Sequence, residues 1–169
     1  MTVAETTRKP STPSALPYLH QPGESELRWM GDVRSLFLAT GQSTGGAFAL
    51  VDERASRGEA VPLHRHSADM ESFYVLEGEI TLFIDGKAGV KAVPGAFAHV
   101  PAGTVHGFRV ESETARYLLL TTPNHGEFYR AITHPSGPGG QRPEGKVTGE
   151  MIQNACRTYG IEFVGALPD

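Results

Sequence analysis

The chain has 169 residues, which is enough for one domain with a sizeable core and too few for two comfortable ones. Lys and Arg together number 15 against 19 for Asp and Glu, a net charge of −4, and no basic run stands out. We therefore expect neither nucleic acid nor an anionic membrane as partner. No apolar stretch approaches the roughly eighteen residues that cross a bilayer, and the N-terminus lacks the apolar core of a secretory signal, so we expect a cytoplasmic protein.

Changes in composition divide the chain into three predicted zones. Residues 1–26 are rich in Thr, Ser and Pro and predict an extended or flexible N-terminal arm. Residues 27–122 are a succession of short β-branched and aromatic runs punctuated by Gly and Pro, which is typical of an all-β sandwich or barrel. Within this zone, Asp85 and Gly86 predict a tight hairpin between two such runs.

Residues 123–169 change character and predict a C-terminal segment with one or two short helices. Residues from 124 to about 132 would form a short helix or an irregular packing segment. The stretch GEMIQNACRTYGI predicts a final helix that ends at Gly160, because glycine is favoured just after a helix. We expect Cys156, the only cysteine, to be a buried or half-buried small hydrophobe rather than a nucleophile. The apolar face of the final helix would consist of Met151, Ile152, Ala155 and Tyr159.

Two histidines stand one residue apart at the mouth of a predicted strand, in the stretch PLHRHSADMESFYVLEG. Side chains at positions i and i+2 of a strand point to the same side, so the imidazoles of His64 and His66 would point to the same place while Arg65 faces away. Glu71 opens the next predicted strand, and His106 starts another after a Gly-containing turn. Three imidazoles and one carboxylate suit a divalent first-row metal, with positions left for water or substrate.

The remaining histidines lack such joint spacing and are expected to be ordinary hydrogen-bonded residues. For His99, which lies two residues before Pro101, the alternative is a hydrogen bond to a metal-binding imidazole. Tyr74 lies on the strand face opposite Glu71 and is expected in the core. The four histidines with an expected structural role are His20, His99, His125 and His134.

Glycines and a proline extend the spacing around the four candidate ligands. From Gly58 to Gly78 the chain follows the pattern G-x5-H-x-H-x4-E-x6-G, and from Gly95 to His106 it follows G-x5-P-x-G-x2-H. This pair of patterns resembles the two conserved motifs of the cupin superfamily at nearly every fixed position. One position departs from the second motif, which usually has asparagine where this chain has Val110.

The resemblance covers residues from about 35 to 122. It implies a cupin jelly-roll β-barrel or sandwich over residues 27–122, capped by the C-terminal segment. It also implies one divalent transition metal, which the ligand types do not narrow beyond Fe, Mn, Co, Ni, Cu or Zn. Because cupin chains often pair through their N-terminal strands, it further implies a homodimer. By the same resemblance the metal ligands are His64, His66, Glu71 and His106.

Within the superfamily, the whole chain resembles the quercetin 2,3-dioxygenase-like, or quercetinase-like, group. The resemblance rests on FLATGQSTGGAFALVDERASRGEAVPLHRH, on ESFYVLEGEITLFIDG, and on a tail in which GEFYRAI precedes a loop, a helix and YGIEFVG. It implies a dioxygenase that cleaves a flavonol heterocycle with O2 and releases carbon monoxide. Glu71 would then be a ligand, the general base that accepts the proton of the flavonol 3-hydroxyl, or both.

Two alternative functions stay open at this point. One is a non-oxidative metal-dependent cupin enzyme, such as an isomerase, cyclase or lyase acting on a small aromatic or polyketide metabolite. The other is a small-molecule-binding cupin without turnover. The apolar side chains on the strands around the predicted lumen favour a small apolar aromatic substrate over a sugar phosphate, which would need a Lys or Arg clamp. The predicted pocket residues are Phe48, Met70, Phe73, Phe83, Phe108 and Phe128.

Overall fold

The computed structural model describes residues 15–168, so residues 1–14 of the predicted arm lie outside the described residues. Within this range strands dominate, and two short helices follow them. No helix in residues 15–168 combines the length and the apolar character needed to cross a bilayer. In chain order the elements are β1 (Glu26–Met30), β2 (Val33–Ala39), β3 (Ala49–Ser56), β4 (Ala60–His66), β5 (Glu71–Glu77), β6 (Ile80–Ile84), β7 (Val90–Ala92), β8 (Phe97–Val100), β9 (His106–Val110), β10 (Thr114–Thr121), α1 (Pro123–Ala131), β11 (His134–Pro135), a 3-10 turn (Pro138–Gly140), α2 (Gly149–Tyr159) and β12 (Ile161–Gly165).

Two antiparallel sheets pack against each other around one core. One sheet has the strand order β11-β1-β2-β3-β10-β5-β8, and the other has the order β12-β4-β9-β6-β7. Strand alternation decides which side chains enter the core: in β10, every second side chain from Ala115 to Thr121 is buried. The core joins residues of the first sheet, such as Phe73, to residues of the second, such as Ile80 and Phe108. The predicted all-β jelly-roll fold is confirmed.

The predicted hairpin lies directly after β6. Asp85 and Gly86 both have left-handed backbone angles, with φ values of 57° and 68°. The Lys87 amide donates to the Ile84 carbonyl at 3.2 Å and closes the turn. Two consecutive left-handed residues match the right-handed twist of the flanking strands, and this is why an Asp-Gly pair is favoured there.

The C-terminal segment extends both sheets, which the sequence did not indicate. Strand β11 pairs with β1 in the first sheet, and β12 pairs with β4 in the second. Helix α1 begins after Thr122, whose side chain accepts a hydrogen bond from the His125 amide, and Pro123 occupies its first turn. Helix α2 ends at Gly160, which is left-handed with a φ of 74°, as predicted. Together with β12 the two helices form a second small core of Phe128, Ile132, Ala155, Cys156 and Ile161.

Candidate metal centre

The four candidate ligands come from three strands that meet at one end of the barrel. His64 and His66 end β4 and are 6% and 1% exposed, whereas Arg65 between them is exposed, as the strand period predicts. His106 opens β9 and lies directly opposite His64 in the β4–β9 register. Glu71 opens β5 and is 2% exposed. The tertiary structure thus brings together side chains that are up to 42 residues apart in the chain, from 64 to 106.

The polar atoms of these side chains are close enough to share one ion. One ligand atom from each residue lies within 4.8 Å of the others. The Nε2 atom of His106 is 2.7 Å from Oε2 of Glu71, and Nε2 of His66 is 3.9 Å from the same oxygen. Ligands at about 2.1 Å from a metal are at most about 4.2 Å apart, so small side-chain rotations bring all four into range.

Hydrogen bonds on the far side of two rings turn their Nε2 atoms toward the cluster. The Nδ1 atom of His64 lies 2.9 Å from the Pro62 carbonyl, and Nδ1 of His106 lies 3.0 Å from the Thr104 carbonyl. A carbonyl only accepts, so each Nδ1 carries the hydrogen and each Nε2 is left as the ligand atom. Both ring nitrogens of His66 are buried without a hydrogen-bond partner in the described residues. An unsatisfied buried imidazole is costly unless something else, such as a metal, uses its lone pair.

Burial and one short hydrogen bond set the charges of the cluster. Burial lowers the pKa of His64 to about 4 and also lowers the pKa of His66, so both rings are neutral at neutral pH. Burial alone would raise the pKa of Glu71, but the His106 hydrogen bond and the neighbouring imidazoles hold it well below its usual range. Burial alone would lower the pKa of His106, but Glu71 raises it. A proton therefore bridges these two residues, and a metal must displace it.

The donor set suits a divalent transition metal. Three nitrogens and one carboxylate oxygen match first-row ions from Mn(II) to Zn(II), and the set has no thiolate that would favour a soft, closed site. Cys156 lies in the second small core and takes no part in the cluster.

Helix α1 adds two polar residues that the sequence analysis did not assign to the site. The His125 ring centroid lies 4.1 Å from that of His66, and burial lowers the pKa of His125 to about 3. The Tyr129 hydroxyl donates to Oε1 of Glu71 at 3.3 Å. The sequence feature that could have linked His125 and Tyr129 is their spacing of four residues within a predicted helix, which places both side chains on one helix face. The sequence alone did not show that this face meets the ligand strands.

A cavity of about 730 Å³ opens beside the cluster, with His64, Glu71 and His125 among its lining residues. Its apolar wall comes from both sheets, from α1 and from α2. Its exposed charged residues include Arg142 and Asp32, which form an ion pair with each other. The larger apolar lining residues include Trp29, Met30, Val61, Phe108, Phe128, Ile132, Val147, Ile152, Ile161 and Phe163.

Two of the six predicted pocket residues line this cavity and four lie elsewhere. Phe108 and Phe128 line it. Phe73 is 1% exposed and packs within the core, where its ring centroid is 5.6 Å from that of Phe108. Met70 lies in the loop before β5, where its sulfur is 3.8 Å from the Ser72 hydroxyl. Strand alternation alone therefore identifies residues that point inward, but it does not show which of them pack in the core and which line the cavity.

The other two residues also lie outside the cavity lining: Phe48 is exposed, and Phe83 is buried at 5% exposure. Phe48 precedes β3 and is 37% exposed. Phe83 alternates with the core residue Leu82 and lies on the opposite face of β6, where the Arg109 guanidinium sits 5.9 Å from its ring centroid. The sequence reasoning placed Phe83 on the wrong face of its strand.

Two further expectations have clear outcomes. His99 is exposed on β8 and its Nδ1 atom lies 2.8 Å from the Ser72 hydroxyl, so its role is structural and it bonds no candidate ligand. Tyr74 was expected in the core but is 42% exposed. Its neighbours Glu71 and Phe73 are buried, and alternation places Tyr74 on the outer face of the sheet.

Comparisons with known proteins agree with this arrangement. A profile of the Cupin domain matches residues 53–121, a range that contains the whole cluster. Over 134 residues, or 79% of this chain, the sequence is 34% identical to quercetin 2,3-dioxygenase of Bacillus subtilis (strain 168). The match covers 39% of that protein, so the chain spans about two fifths of the length of this relative.

Solved structures show the same fold at lower identity. KdgF from Halomonas sp. superposes with a TM-score of 0.57 and 17% identity over 64% of this chain and 94% of that chain. The polyketide cyclase RemF from Streptomyces resistomycificus gives a TM-score of 0.57 and 21% identity over 64% of this chain and 80% of that chain. The chain belongs to the cupin superfamily and is quercetinase-like within it.

Proposed function

We propose that the protein is a metal-dependent dioxygenase that cleaves a flavonol or a similar aromatic enol with O2. The observation that carries the proposal is the buried cluster of three imidazoles and one carboxylate beside a mainly apolar cavity of about 730 Å³. This volume lies within the range of about 300–1,000 Å³ that is typical of small-molecule sites. The 34% identity to a quercetin 2,3-dioxygenase supports this reaction among those of cupins.

In this proposal His64, His66, Glu71 and His106 hold the metal. The metal, when bound, supplies Lewis acidity and, for a redox-active ion, electron exchange with O2. With the metal bound, His106 would have released to solvent the proton that it shares with Glu71, because a ligating imidazole nitrogen must be bare. The Glu71 oxygen that accepted this hydrogen bond is then available to the metal or to the substrate.

We propose that Glu71 is also the base that accepts the proton of the substrate hydroxyl. Glu71 lines the cavity, and the Tyr129 hydroxyl holds its other oxygen at 3.3 Å. Removal of the hydroxyl proton makes the aromatic enol electron-rich, and this prepares it for attack by O2. The apolar walls contributed by Phe108, Phe128 and Ile161 exclude water, which strengthens the electrostatic interactions of the carboxylate.

The test is oxygen uptake by metal-stripped protein reloaded separately with Fe(II), Mn(II), Co(II), Ni(II), Cu(II) or Zn(II) and offered quercetin, with the flavonol absorbance followed in parallel. We expect metal-dependent O2 consumption together with loss of that absorbance. Metal binding without O2 uptake for any ion would refute the dioxygenase and favour a non-oxidative cupin enzyme or a binding protein. His66→Ala should lose the metal, whereas the matched variant Arg65→Ala should retain it, since Arg65 points out of the cluster.

Glu71→Gln separates the ligand role of this residue from its base role. The amide oxygen can still ligate, but an amide does not accept a proton at neutral pH. We expect this variant to retain part of its metal and to lose turnover by about 100-fold or more, in the range of a general base. Full turnover at full metal content would refute the base role.

We also propose that the protein is a homodimer. Tyr74 on β5 and Phe97 on β8 are cross-strand partners on the outer face of the first sheet, 42% and 65% exposed. Adjacent exposed aromatic side chains are typical of an interaction surface. Light scattering during size-exclusion chromatography should give twice the chain mass of 18.2 kDa, and Phe97→Lys should reduce it to the monomer value. A monomeric wild-type protein would contradict the proposal.

A further inference from the structure

One polar residue of the cavity has no role in the proposed mechanism. His125 on α1 is 2% exposed and lines the cavity. Its ring centroid is 4.1 Å from that of His66, so it lies directly beside the metal cluster. It is not one of the four clustered ligand residues.

A chain of hydrogen bonds shows which nitrogen of His125 carries the hydrogen. The Thr121 hydroxyl oxygen is 2.6 Å from the Met70 carbonyl. A carbonyl only accepts, so the single hydroxyl hydrogen of Thr121 is donated there. The same hydroxyl oxygen is 2.9 Å from Nδ1 of His125 and must accept from it. Nδ1 therefore bears the hydrogen, and Nε2 presents a lone pair.

Packing holds this lone pair in a defined direction. The Phe128 ring stacks on the His125 ring with centroids 5.5 Å apart and planes at 24°, and His66 contacts the same ring. Within residues 15–168 the hydrogen bond of the His125 ring is the one from Nδ1 to Thr121, and none is formed at Nε2. The Tyr129 hydroxyl, which is one helical turn away, already donates to Glu71. An oriented acceptor at the wall of an apolar cavity discriminates strongly among ligands, because it is left unpaired when the ligand lacks a donor.

We propose that Nε2 of His125 accepts a hydrogen bond from the reacting hydroxyl of the bound substrate before Glu71 takes its proton. In the metal-free protein both Glu71 oxygens already accept hydrogen bonds, from His106 and Tyr129, so this hydroxyl is left to donate to His125. The site would thereby select aromatic molecules that carry a free hydroxyl at the end that reaches the cluster. This inference rests on the proposed function for the identity of the substrate. His125 is then a specificity-determining residue supplied by the helix after the barrel, outside the two sequence motifs.

The test compares quercetin with luteolin, which differs only in lacking the 3-hydroxyl group. Dissociation constants are measured on metal-free protein, so that neither turnover nor metal content affects the result. We expect wild-type protein to bind quercetin about tenfold more tightly than luteolin, near the upper end of what one buried hydrogen bond contributes. In His125→Phe, which retains a flat ring, this preference should fall to about twofold or less while luteolin affinity stays within about twofold.

Two further variants test the direction of the hydrogen bond. Thr121→Val keeps the shape of the side chain and the His125 ring but removes the acceptor for Nδ1, so the ring hydrogen is free to occupy either nitrogen. We expect an intermediate loss of the quercetin preference. His125→Gln places an amide oxygen near the position of Nε2 and should restore part of the preference. If His125→Phe fails to fold, as judged by circular dichroism, these two variants decide the question.

The outcomes separate this inference from the proposed function. A quercetin preference that falls in the variants supports the inference, even if the metal-loaded wild-type protein consumes no O2. Oxygen-dependent cleavage of quercetin together with an unchanged preference in every folded variant would overturn the inference and leave the dioxygenase proposal standing. Equal binding of the two flavonoids to wild-type protein, or no binding of either, would also overturn the inference.

Discussion

A buried carboxylate in the loop between β4 and β5 accepts hydrogen bonds from the start of helix α1. Removal of this carboxylate should destabilise the protein. Asp69 is 4% exposed and accepts hydrogen bonds from the Thr122 hydroxyl at 2.5 Å and from the Asn124 amide at 2.8 Å. A hydrogen bond to a charged group contributes about 1.5–3 kcal/mol, so the pair contributes at most about 6 kcal/mol. The Asn124 amide also donates to the Tyr159 carbonyl at 3.2 Å, which reduces the loss. We expect Asp69→Ala to lower the free energy of unfolding by about 3 kcal/mol.

Equilibrium unfolding in urea measures this change, with the fluorescence of Trp29, the only tryptophan, as the signal. For a chain of this size, a loss of about 3 kcal/mol corresponds to a decrease in Tm of about 6–12 °C. Glu162→Ala is the matched control, because it removes a carboxylate whose salt bridge with Arg65 at 2.7 Å is half-exposed. That change should cost less than about 1 kcal/mol. Equal losses in the two variants would refute the reasoning that burial sets the strength of the Asp69 contacts.

Three other predictions concern the interior. Tyr129→Phe removes the hydrogen bond to Glu71 and should lower kcat about three- to tenfold at unchanged metal content; an unchanged kcat would show that this hydroxyl does not orient the carboxylate. Burial raises the pKa of Glu53 from 4.5 to about 8, so the folded state retains a proton that the unfolded state releases, and stability should fall as pH rises from about 5 to 8. Urea unfolding should show a weaker pH slope for Glu53→Gln over this window, and equal slopes would contradict the assignment. Because Glu71 raises the pKa of His106, a proton should compete with the metal for the His106 imidazole as the pH falls. Metal analysis after dialysis at pH 5 and pH 7.5 should therefore show less bound metal at pH 5. Equal metal contents would contradict this competition.

Several features followed from local sequence because their causes are local. The period of a strand places His64 and His66 on one side and Arg65 on the other, whatever the rest of the fold does. The left-handed turn at Asp85-Gly86 and the helix end at Gly160 depend on the backbone preferences of those residues. The motif spacing, read through the cupin resemblance, also named four residues that the structure brings within 4.8 Å.

Other features depended on contacts between distant segments. The short strand β12 pairs with β4 beside the cluster, although its sequence contains little alternation to reveal a strand. Phe73 and Phe108 both point inward, yet only Phe108 reaches the cavity, because the depth of a side chain depends on what packs above it. Tyr74 was expected in the core on the strand face opposite Glu71, but it is 42% exposed, because the direction of a side chain does not show whether another segment covers it.

By itself, the sequence determined the fold class and the turns, since strand period and turn preference act over a few residues. Through the cupin resemblance it also named the four residues of the candidate metal centre. Only the tertiary structure decided the surroundings of that centre. It placed His125 and Tyr129 of α1 against the ligand strands, and it built the cavity from segments far apart in the chain. The physical reason is that a hydrogen bond such as that between Tyr129 and Glu71, 58 residues apart, leaves no periodic trace in the sequence.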